Sequence, residues 1–220
     1  MRGKLHKNTA SPLLLEILQK IMESAEFGVF RLVGGTGLSL QRGHRISVDI
    51  DLFTDSPYGT IDFGNLEYYL QQHWHYSDTL KNVPAGMGKS CFVGLSADNC
   101  IKLDLYYTDT FIEDFRLQEG IRLATINEIL AMKMDVIYRG GRKKDFWDIH
   151  ELMEEYALEE MLELHKKRYP YTHNQDELIR KMNDFSLADD DFDPVCLRGK
   201  HWELIKLDII EMVEQYHAGG

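Results

Sequence analysis

The spacing of apolar residues changes near residue 123. Before it, apolar residues recur at helical spacing after Ser11-Pro12 and then at every second position in several short runs. Period two is typical of strands with one buried face, and spacings of three and four are typical of helices. Beyond residue 123 the pattern is helical. We therefore predict an α+β chain, with a mixed sheet flanked by helices in residues 1–122 and a helical C-terminal region in residues 123–220.

Local signals suggest where the elements begin. Ser11 is a good N-cap and Pro12 is tolerated in the first helical turn, while Thr125 and Glu128 form a capping-box pattern. The further predicted strands are 27–33, 46–53, 74–80, 91–96 and 101–107, with a turn at Asp98-Asn99. The further predicted helices are 36–41, 65–73, one from about 143, and others ending with 202–216.

Composition excludes several classes of protein. With 44% hydrophobic and 28% charged residues the chain reads as globular, and no run reaches the roughly 18 apolar residues of a membrane span. The 3 cysteines lie in no metal-type spacing, which favours a reducing cytoplasm. We expect a cytoplasmic protein without a membrane partner.

Charge is unevenly distributed. The net charge of −11 argues against broad, non-specific nucleic-acid binding. The basic segment Arg139–Lys144 is suited to phosphates, but cations at a helix C-terminus and in a solvated loop are an equally good explanation. The acidic run Asp189–Asp193 is expected to be a solvated loop.

Carboxylates stand on the polar side of two predicted strands. Asp49 and Asp51 share one face, because alternate residues of a strand point the same way, and such a pair repels unless a cation lies between its members. Hard oxygen ligands suit Mg²⁺. Taken alone, this pair is more simply the wet face of an edge strand. Asp104 joins it only if the strands are adjacent; otherwise it pairs with Lys102 on a solvated face.

A glycine-rich turn precedes these strands. Gly34, Gly35 and Thr36 follow an apolar run and open a predicted helix, whose first N–H groups are free to bind an anion. A plain helix cap is the alternative. The turn is neither G-x-G-x-x-G nor a Walker P-loop.

As one spaced unit, G-G-T-x-L-x-L-x-x-G-H-R-x-S-x-D-I-D-L-F (residues 34–53) is far more specific than its parts. It closely resembles the first motif of the AbiEii/AbiGii toxin nucleotidyltransferases, a branch of the DNA polymerase β-like superfamily. The segment Glu128–Met153 resembles that family's second half, in which a helical lysine precedes K-D-x-x-D-[IL]. The resemblance covers most of residues 30–153 and implies a nucleotidyltransferase-type sheet core.

The resemblance also implies roles for individual residues. The nucleotide-binding residues would be Gly34, Gly35, Thr36, Arg45, Ser47 and Lys133. The metal ligands for Mg²⁺ would be Asp49, Asp51 and Asp104, and the catalytic set would add Lys133 and Asp148 to these three. Asp104 would help to activate the acceptor hydroxyl, and the helical region would close the active-site cleft. For Arg45, pairing with a local carboxylate is an equal alternative to a phosphate contact.

The helical candidates have physical support of their own. Lys133 lies on the apolar stripe of its helix, where a lysine either snorkels or reaches into a cleft. Asp145 and Asp148 share one face of the next helix. For Asp145, a carboxylate favoured by the helix N-terminus is a sufficient explanation, so Asp148 is the better functional candidate.

We therefore expect a Mg²⁺-dependent nucleotidyltransferase that moves a nucleoside monophosphate from an NTP to an acceptor hydroxyl on an RNA such as tRNA, or on a protein. It would be the toxin component of a toxin–antitoxin or phage-defence system, with a cognate antitoxin as partner. The alternative is a catalytically silent, nucleotide-binding regulatory module. A third possibility, a structural partner protein, predicts no NTP binding.

Overall fold

The computed structural model describes residues 4–79 and 86–219. The chain consists of two compact units: a sheet unit, Met1–Gly43 with Ser47–Thr125, and a helical unit, His44–Ile46 with Ile126–Gly220. A mixed sheet with flanking helices, followed by a helical part, confirms the predicted α+β class.

Within the described residues, the sheet unit is built on one seven-stranded sheet. Its strands are β1 (Arg31–Leu32), β2 (Asp49–Thr54), β3 (Tyr76–Thr79), β4 (Gly88–Ser96), β5 (Asn99–Tyr107), β6 (Arg116–Gln118) and β7 (Ile121–Leu123), and its helices are α1 (Pro12–Glu23), α2 (Gly34–Arg42) and α3 (Phe63–His73). The strand order is β3-β4-β5-β2-β1-β7-β6. The pairs β2–β5 and β1–β7 are parallel and the others antiparallel.

One face of this sheet carries the core of the unit. The apolar stripe of α1, including Ile17 and Leu18, belongs to one fully buried cluster with Ile50, Leu52 and Leu103 of the central strands. The helix begins as predicted, because the Ser11 side chain accepts a hydrogen bond from the Leu14 N–H at 3.1 Å. Since Ile50 and Leu52 point into the core, the intervening residues of β2 point to the opposite face.

Several local predictions for the sheet unit were wrong in extent. The strand predicted at 27–33 is reduced to β1, because Phe27 closes a short 3₁₀ helix and both Phe27 and Phe30 are fully buried at the spacing of a turn. The turn between β4 and β5 lies at Ala97 and Asp98, one residue earlier than predicted. Leu80, the predicted end of β3, lies outside the described residues.

The helical unit contains α4 (Ile126–Tyr138), α5 (Lys143–Leu152), α6 (Leu158–Arg168), α7 (Gln175–Met182), α8 (Ser186–Asp189) and α9 (Trp202–Gly219). Its core includes the stacked rings of Trp147 and Trp202, with centroids 6.5 Å apart. Glu128, predicted as part of a capping box, is fully buried and pairs with Arg168 at 2.5 Å. Within the described residues, none of the helices has the length and apolar character required to cross a membrane.

Candidate active site

The polar face of the sheet brings the three predicted carboxylates together. In the parallel pair β2–β5, Asp51 stands opposite Asp104, and Asp49 stands opposite Lys102. Residues paired across neighbouring strands point to the same face, and alternate residues of one strand do too. Asp49, Asp51 and Asp104 therefore share one face, and the adjacency of strands on which the inclusion of Asp104 depended is present.

Gly34 makes room for one of these carboxylates. It is the first residue of α2 and adopts φ +64°, a left-handed conformation that favours glycine. A Cβ placed on Gly34 would collide with the carboxylate of Asp51. A hydrogen bond from the Val33 N–H to the Asp51 carbonyl at 2.9 Å also joins the residue before α2 to β2. The glycine is therefore required for the close approach of the helix to the metal-binding candidate.

The start of α2 is fastened to β2 by two hydroxyls. The hydroxyls of Thr36 and Ser47 are 2.8 Å apart, and Thr36 also donates to the backbone carbonyl of Asp49. Both side chains are buried. Their geometry shows a positioning role for the helix against the strand, while nucleotide contact by Thr36 and Ser47 stays a prediction. Val33, the N-cap of α2, supplies no side-chain cap, which suits an anion at the N–H groups of Gly34 and Gly35.

Lys102 lies among the carboxylates. Its Nζ is 2.5 Å from Oδ2 of Asp104. Burial lowers the pKa of Lys102, but the hydrogen bond to Asp104 and the charges of Asp104, Asp49 and Asp51 outweigh it, so the pKa is raised. Oδ1 of Asp104 is buried and has no hydrogen-bond partner among the described residues. The ion pair between Lys102 and Asp104, which the sequence offered as the alternative to a metal site, is therefore present. It lies on the face that also carries Asp49 and Asp51.

The same face continues into hydroxyl and aromatic side chains. Ser90 of β4 stands opposite Asp104, and its Oγ is 2.8 Å from the hydroxyl of Tyr106. Phe53 packs edge-on against Tyr106 at 6.0 Å, and Phe92 stands opposite Lys102. Ser90 was not identified from the sequence, since a single serine in a mixed apolar strand has no distinguishing signal.

A second cluster, in the helical unit, centres on Asp148. This residue is 0% exposed. Arg45 binds it bidentately, through Nε to Oδ1 at 2.6 Å and Nη2 to Oδ2 at 2.7 Å. His44 Nε2 lies 2.8 Å from Oδ1, and Lys133 Nζ lies 2.8 Å from Oδ2. Arg45 thus pairs with a carboxylate, one of its two predicted uses, and Asp148 holds cations in place.

Lys133 is shared between two carboxylates of α5. Besides Asp148 it contacts Oδ1 of Asp145 at 2.6 Å. Oδ2 of Asp145 accepts a hydrogen bond from the Arg142 N–H at 3.1 Å, as expected for a carboxylate at a helix N-terminus. Burial lowers the pKa of Lys133, but the charges of Asp145 and Asp148 outweigh it and raise that pKa.

The charge state of Asp148 follows from its neighbours. Burial raises its pKa, but the Arg45 and Lys133 charges and the hydrogen bonds from His44 and Arg45 hold the pKa well below its ordinary value. Asp148 is therefore an anion, and His44 Nε2 donates to it. Nδ1 of His44 is buried with no hydrogen-bond partner among the described residues.

The short segment carrying His44 and Arg45 is held by the chain before α9. The Ile46 N–H donates to the Val195 carbonyl at 2.9 Å, and the Leu197 N–H donates to the His44 carbonyl at 2.8 Å. These bonds orient Arg45 toward α5. They join residues that are far apart in sequence, so no local pattern predicts them.

Two of the four cations of the basic segment pair with carboxylates. Arg139 pairs with Asp135 at 2.9 Å, and Lys143 pairs with Asp193 at 2.9 Å. Lys143 also lies over the ring of Trp202 at 5.4 Å. This favours the structural explanation of the segment over phosphate binding.

A divalent metal ion fits the carboxylate face by donor type. Three carboxylates face one side, and one buried oxygen of Asp104 lacks a partner among the described residues, which suits a hard cation such as Mg²⁺. As they stand, however, no three His, Cys, Asp or Glu side chains within residues 4–79 and 86–219 are arranged to hold a metal ion. The metal assignment stays a prediction.

Comparison with known proteins adds to this geometry. Residues 16–92 and 96–215 match the family described as nucleotidyl transferase AbiEii toxin, type IV TA system. The protein aq_aa25 of Aquifex aeolicus (strain VF5), which has no assigned function, is 30% identical over 163 residues, or 70% of this chain and 73% of its own length.

Solved structures share the fold at low sequence identity. A proposed nucleotidyltransferase from H. pylori has 20% identity and a TM-score of 0.60, with 97% of this chain and 94% of its own covered. The toxin MenT4 from Mycobacterium tuberculosis has 15% identity and a TM-score of 0.54, with 91% of this chain and 83% of its own covered. These similarities to solved structures concern the fold alone. The match to the family extends beyond the resemblance predicted for residues 30–153 and covers most of the chain.

Proposed function

The chain belongs to the AbiEii nucleotidyltransferase toxin family of type IV toxin–antitoxin systems, and from this premise we propose that it transfers a nucleoside monophosphate from an NTP to an acceptor hydroxyl. Family membership confirms the predicted enzyme class. The proposal adds a Mg²⁺ requirement, the NTP donor and the kind of acceptor. A cognate antitoxin would be its protein partner.

The placement of Asp49, Asp51 and Asp104 on one face of the sheet is the observation that carries the proposal. Carboxylates crowded on one face destabilise each other unless cations accompany them, and Asp is otherwise disfavoured in strands. Gly34 has no side chain to displace the Asp51 carboxylate. Such an arrangement is costly for a solvated surface and useful for holding Mg²⁺.

We propose that Asp49, Asp51 and Asp104 hold the metal ion, which would neutralise charge on the phosphates when bound. The acceptor oxygen bonds to the α-phosphorus as the bond to pyrophosphate breaks, and pyrophosphate leaves with that electron pair. Asp104 would take the proton of the acceptor hydroxyl, the role that the family resemblance implies for it.

The phosphate contacts are proposed from chemistry and family membership. The N–H groups of Gly34 and Gly35 open a helix without a side-chain cap, and such N–H groups bind anions well. We propose that Asp148 is a positioning residue for Arg45 and Lys133, because its own carboxylate is fully buried against both cations. Phosphate contact by Lys133 and Arg45 stays a prediction.

The experiment supplies Mg²⁺, each of the four labelled NTPs, and total RNA or total protein as acceptor. We expect label on one acceptor class with one preferred NTP, and none with Asp49→Asn or Asp51→Asn. Asp98→Asn, in the turn between β4 and β5, is the matched control and should label as the unsubstituted protein does. Absence of transfer with every NTP, or full activity of the two site variants, would contradict the proposal.

The same protein distinguishes an active enzyme from the alternative of a catalytically silent regulatory module. Calorimetry with Mg²⁺ and a non-hydrolysable NTP measures binding independently of turnover. Binding accompanied by transfer supports the enzyme, whereas binding without transfer to any acceptor supports a silent nucleotide-binding module. The absence of any binding points to a structural partner protein.

A further inference from the structure

Lys102 is placed where a metal ion is expected to act. Its ammonium contacts Oδ2 of Asp104, the carboxylate proposed above to take the proton of the acceptor hydroxyl. On β2 its partner in register is Asp49. The Lys102 side chain is 35% exposed and that of Asp104 is 16% exposed, so the lysine reaches solvent while the carboxylate is mostly covered.

An ordinary surface ion pair does not account for this arrangement. Exposed pairs of this kind contribute little to stability, and one opposite charge would satisfy Asp104 alone. Here a single ammonium contacts Asp104 and stands in register with Asp49, on the face that also carries Asp51. The lysine is therefore placed to offset the charge of more than one carboxylate.

We propose that Lys102 is a built-in counter-ion of the carboxylate face, whose ammonium competes with the divalent metal ion for Asp104. This rests on the proposed function. In the metal-free protein Lys102 neutralises the repulsion among the aspartates. When a divalent ion binds, the ammonium leaves Oδ2 of Asp104, because two cations cannot share that oxygen at close range without strong repulsion.

The proposal sets a direction for metal affinity. Removing the ammonium frees Asp104 and removes a positive charge from beside the ion, so the metal should bind more tightly. A substitution that keeps the charge should keep the competition. If Lys102 had a purely structural role, neither substitution would change metal affinity. If Lys102 helped to hold the site together, removing it would weaken metal binding.

The test measures Mn²⁺ affinity by electron paramagnetic resonance of free Mn²⁺ with the full chain. Lys102→Gln is expected to tighten binding about tenfold, the order of effect of one nearby, partly exposed charge, and to lower the Mg²⁺ concentration for half-maximal activity. Lys102→Arg should stay within about threefold of the unsubstituted protein, since it keeps the charge. Circular dichroism confirms that each variant is folded.

Lys89→Gln is the matched control. It removes the same charge from the same sheet, but Lys89 stands opposite Leu105 on the other face and pairs with Glu67. Its Mn²⁺ affinity should be unchanged. If Lys102→Gln binds Mn²⁺ equally or more weakly while Asp51→Asn abolishes Mn²⁺ binding, the counter-ion role of Lys102 is overturned and the metal site is not. Unchanged Mn²⁺ binding in Asp49→Asn and Asp51→Asn overturns the metal site itself, and the proposal for Lys102 with it.

Discussion

Gly34 is the residue on which the carboxylate face depends most directly. Its left-handed backbone and missing Cβ let Asp51 approach the start of α2. In Gly34→Ala two effects add: the strain of a non-glycine residue at positive φ, and the collision with the carboxylate. Asp51 must then move out of line with Asp104.

We predict that Gly34→Ala lowers the free energy of unfolding by about 2–3 kcal/mol and abolishes nucleotidyl transfer. Gly59→Ala is the matched control, because Gly59 has φ +82° with nothing within 4 Å of an added Cβ. It should lose only about 1 kcal/mol and keep its activity. Chemical denaturation measures both. Equal losses in the two variants would mean that the Asp51 contact is unimportant.

Asp148 is the residue whose charge matters most in the helical unit. Its folded-state pKa is depressed, so its ion pairs stabilise the fold above the pKa of an unfolded aspartate and lose this effect as pH falls through the folded value. Lys133 has a raised pKa. Its contribution is complete below the unfolded lysine pKa and is lost as pH rises through the folded value.

We predict that Asp148→Asn destabilises the protein by about 3–5 kcal/mol at pH 7, because Arg45 and Lys133 remain buried beside a neutral group. The difference from the unsubstituted protein should shrink as pH is lowered below about 4. Urea denaturation from pH 7 to pH 3 measures it. A difference that grows on acidification would contradict the assigned charge state.

At the scale of elements, α1 supports the sheet from the face opposite the carboxylates. Its apolar stripe packs in the cluster that contains Ile50 and Leu52, while Asp49 and Asp51 point away. The stability of α1 is therefore separable from the chemistry of the site. The cap at Ser11 is the most specific point at which to test this.

We predict that Ser11→Ala lowers the free energy of unfolding by about 1 kcal/mol, because the Leu14 N–H loses its side-chain acceptor. Ser11→Gly should cost only a few tenths of a kcal/mol. Thermal or urea unfolding gives the energies, and kcat and KM should be unchanged in both variants. A fall in kcat would show that α1 reaches the site after all.

Elements with strong local periodicity were predictable, and those fixed by distant partners were not. The alternation in β2 and β5 placed Asp49, Asp51 and Asp104 on a polar face, and Ser11-Pro12 located α1. The strands β6 and β7 escaped prediction, because three residues are too few for a period. The bidentate Arg45–Asp148 pair joins residues 103 positions apart in sequence, so no local pattern predicts that these two residues meet.

At the scale of the whole molecule, the chain belongs to a family of toxins of type IV toxin–antitoxin systems. A toxin that modifies an essential acceptor should arrest growth when expressed alone. We predict that expression of the unsubstituted chain slows growth, that Asp51→Asn relieves the effect, and that the cognate antitoxin relieves it as well. Growth curves after induction measure this. Equal toxicity of Asp51→Asn would mean that growth arrest does not depend on transfer.

The central claim, transfer of a nucleoside monophosphate, is tested most directly by the position of the label. The preferred NTP is supplied with ³²P at either the α- or the γ-phosphate, together with Mg²⁺ and the acceptor fraction. We predict that the α-label becomes attached to the acceptor, that the γ-label appears only in released pyrophosphate, and that Asp51→Asn does neither. Transfer of the γ-label to the acceptor, or attachment of the α-label by Asp51→Asn at the unsubstituted rate, would contradict the account.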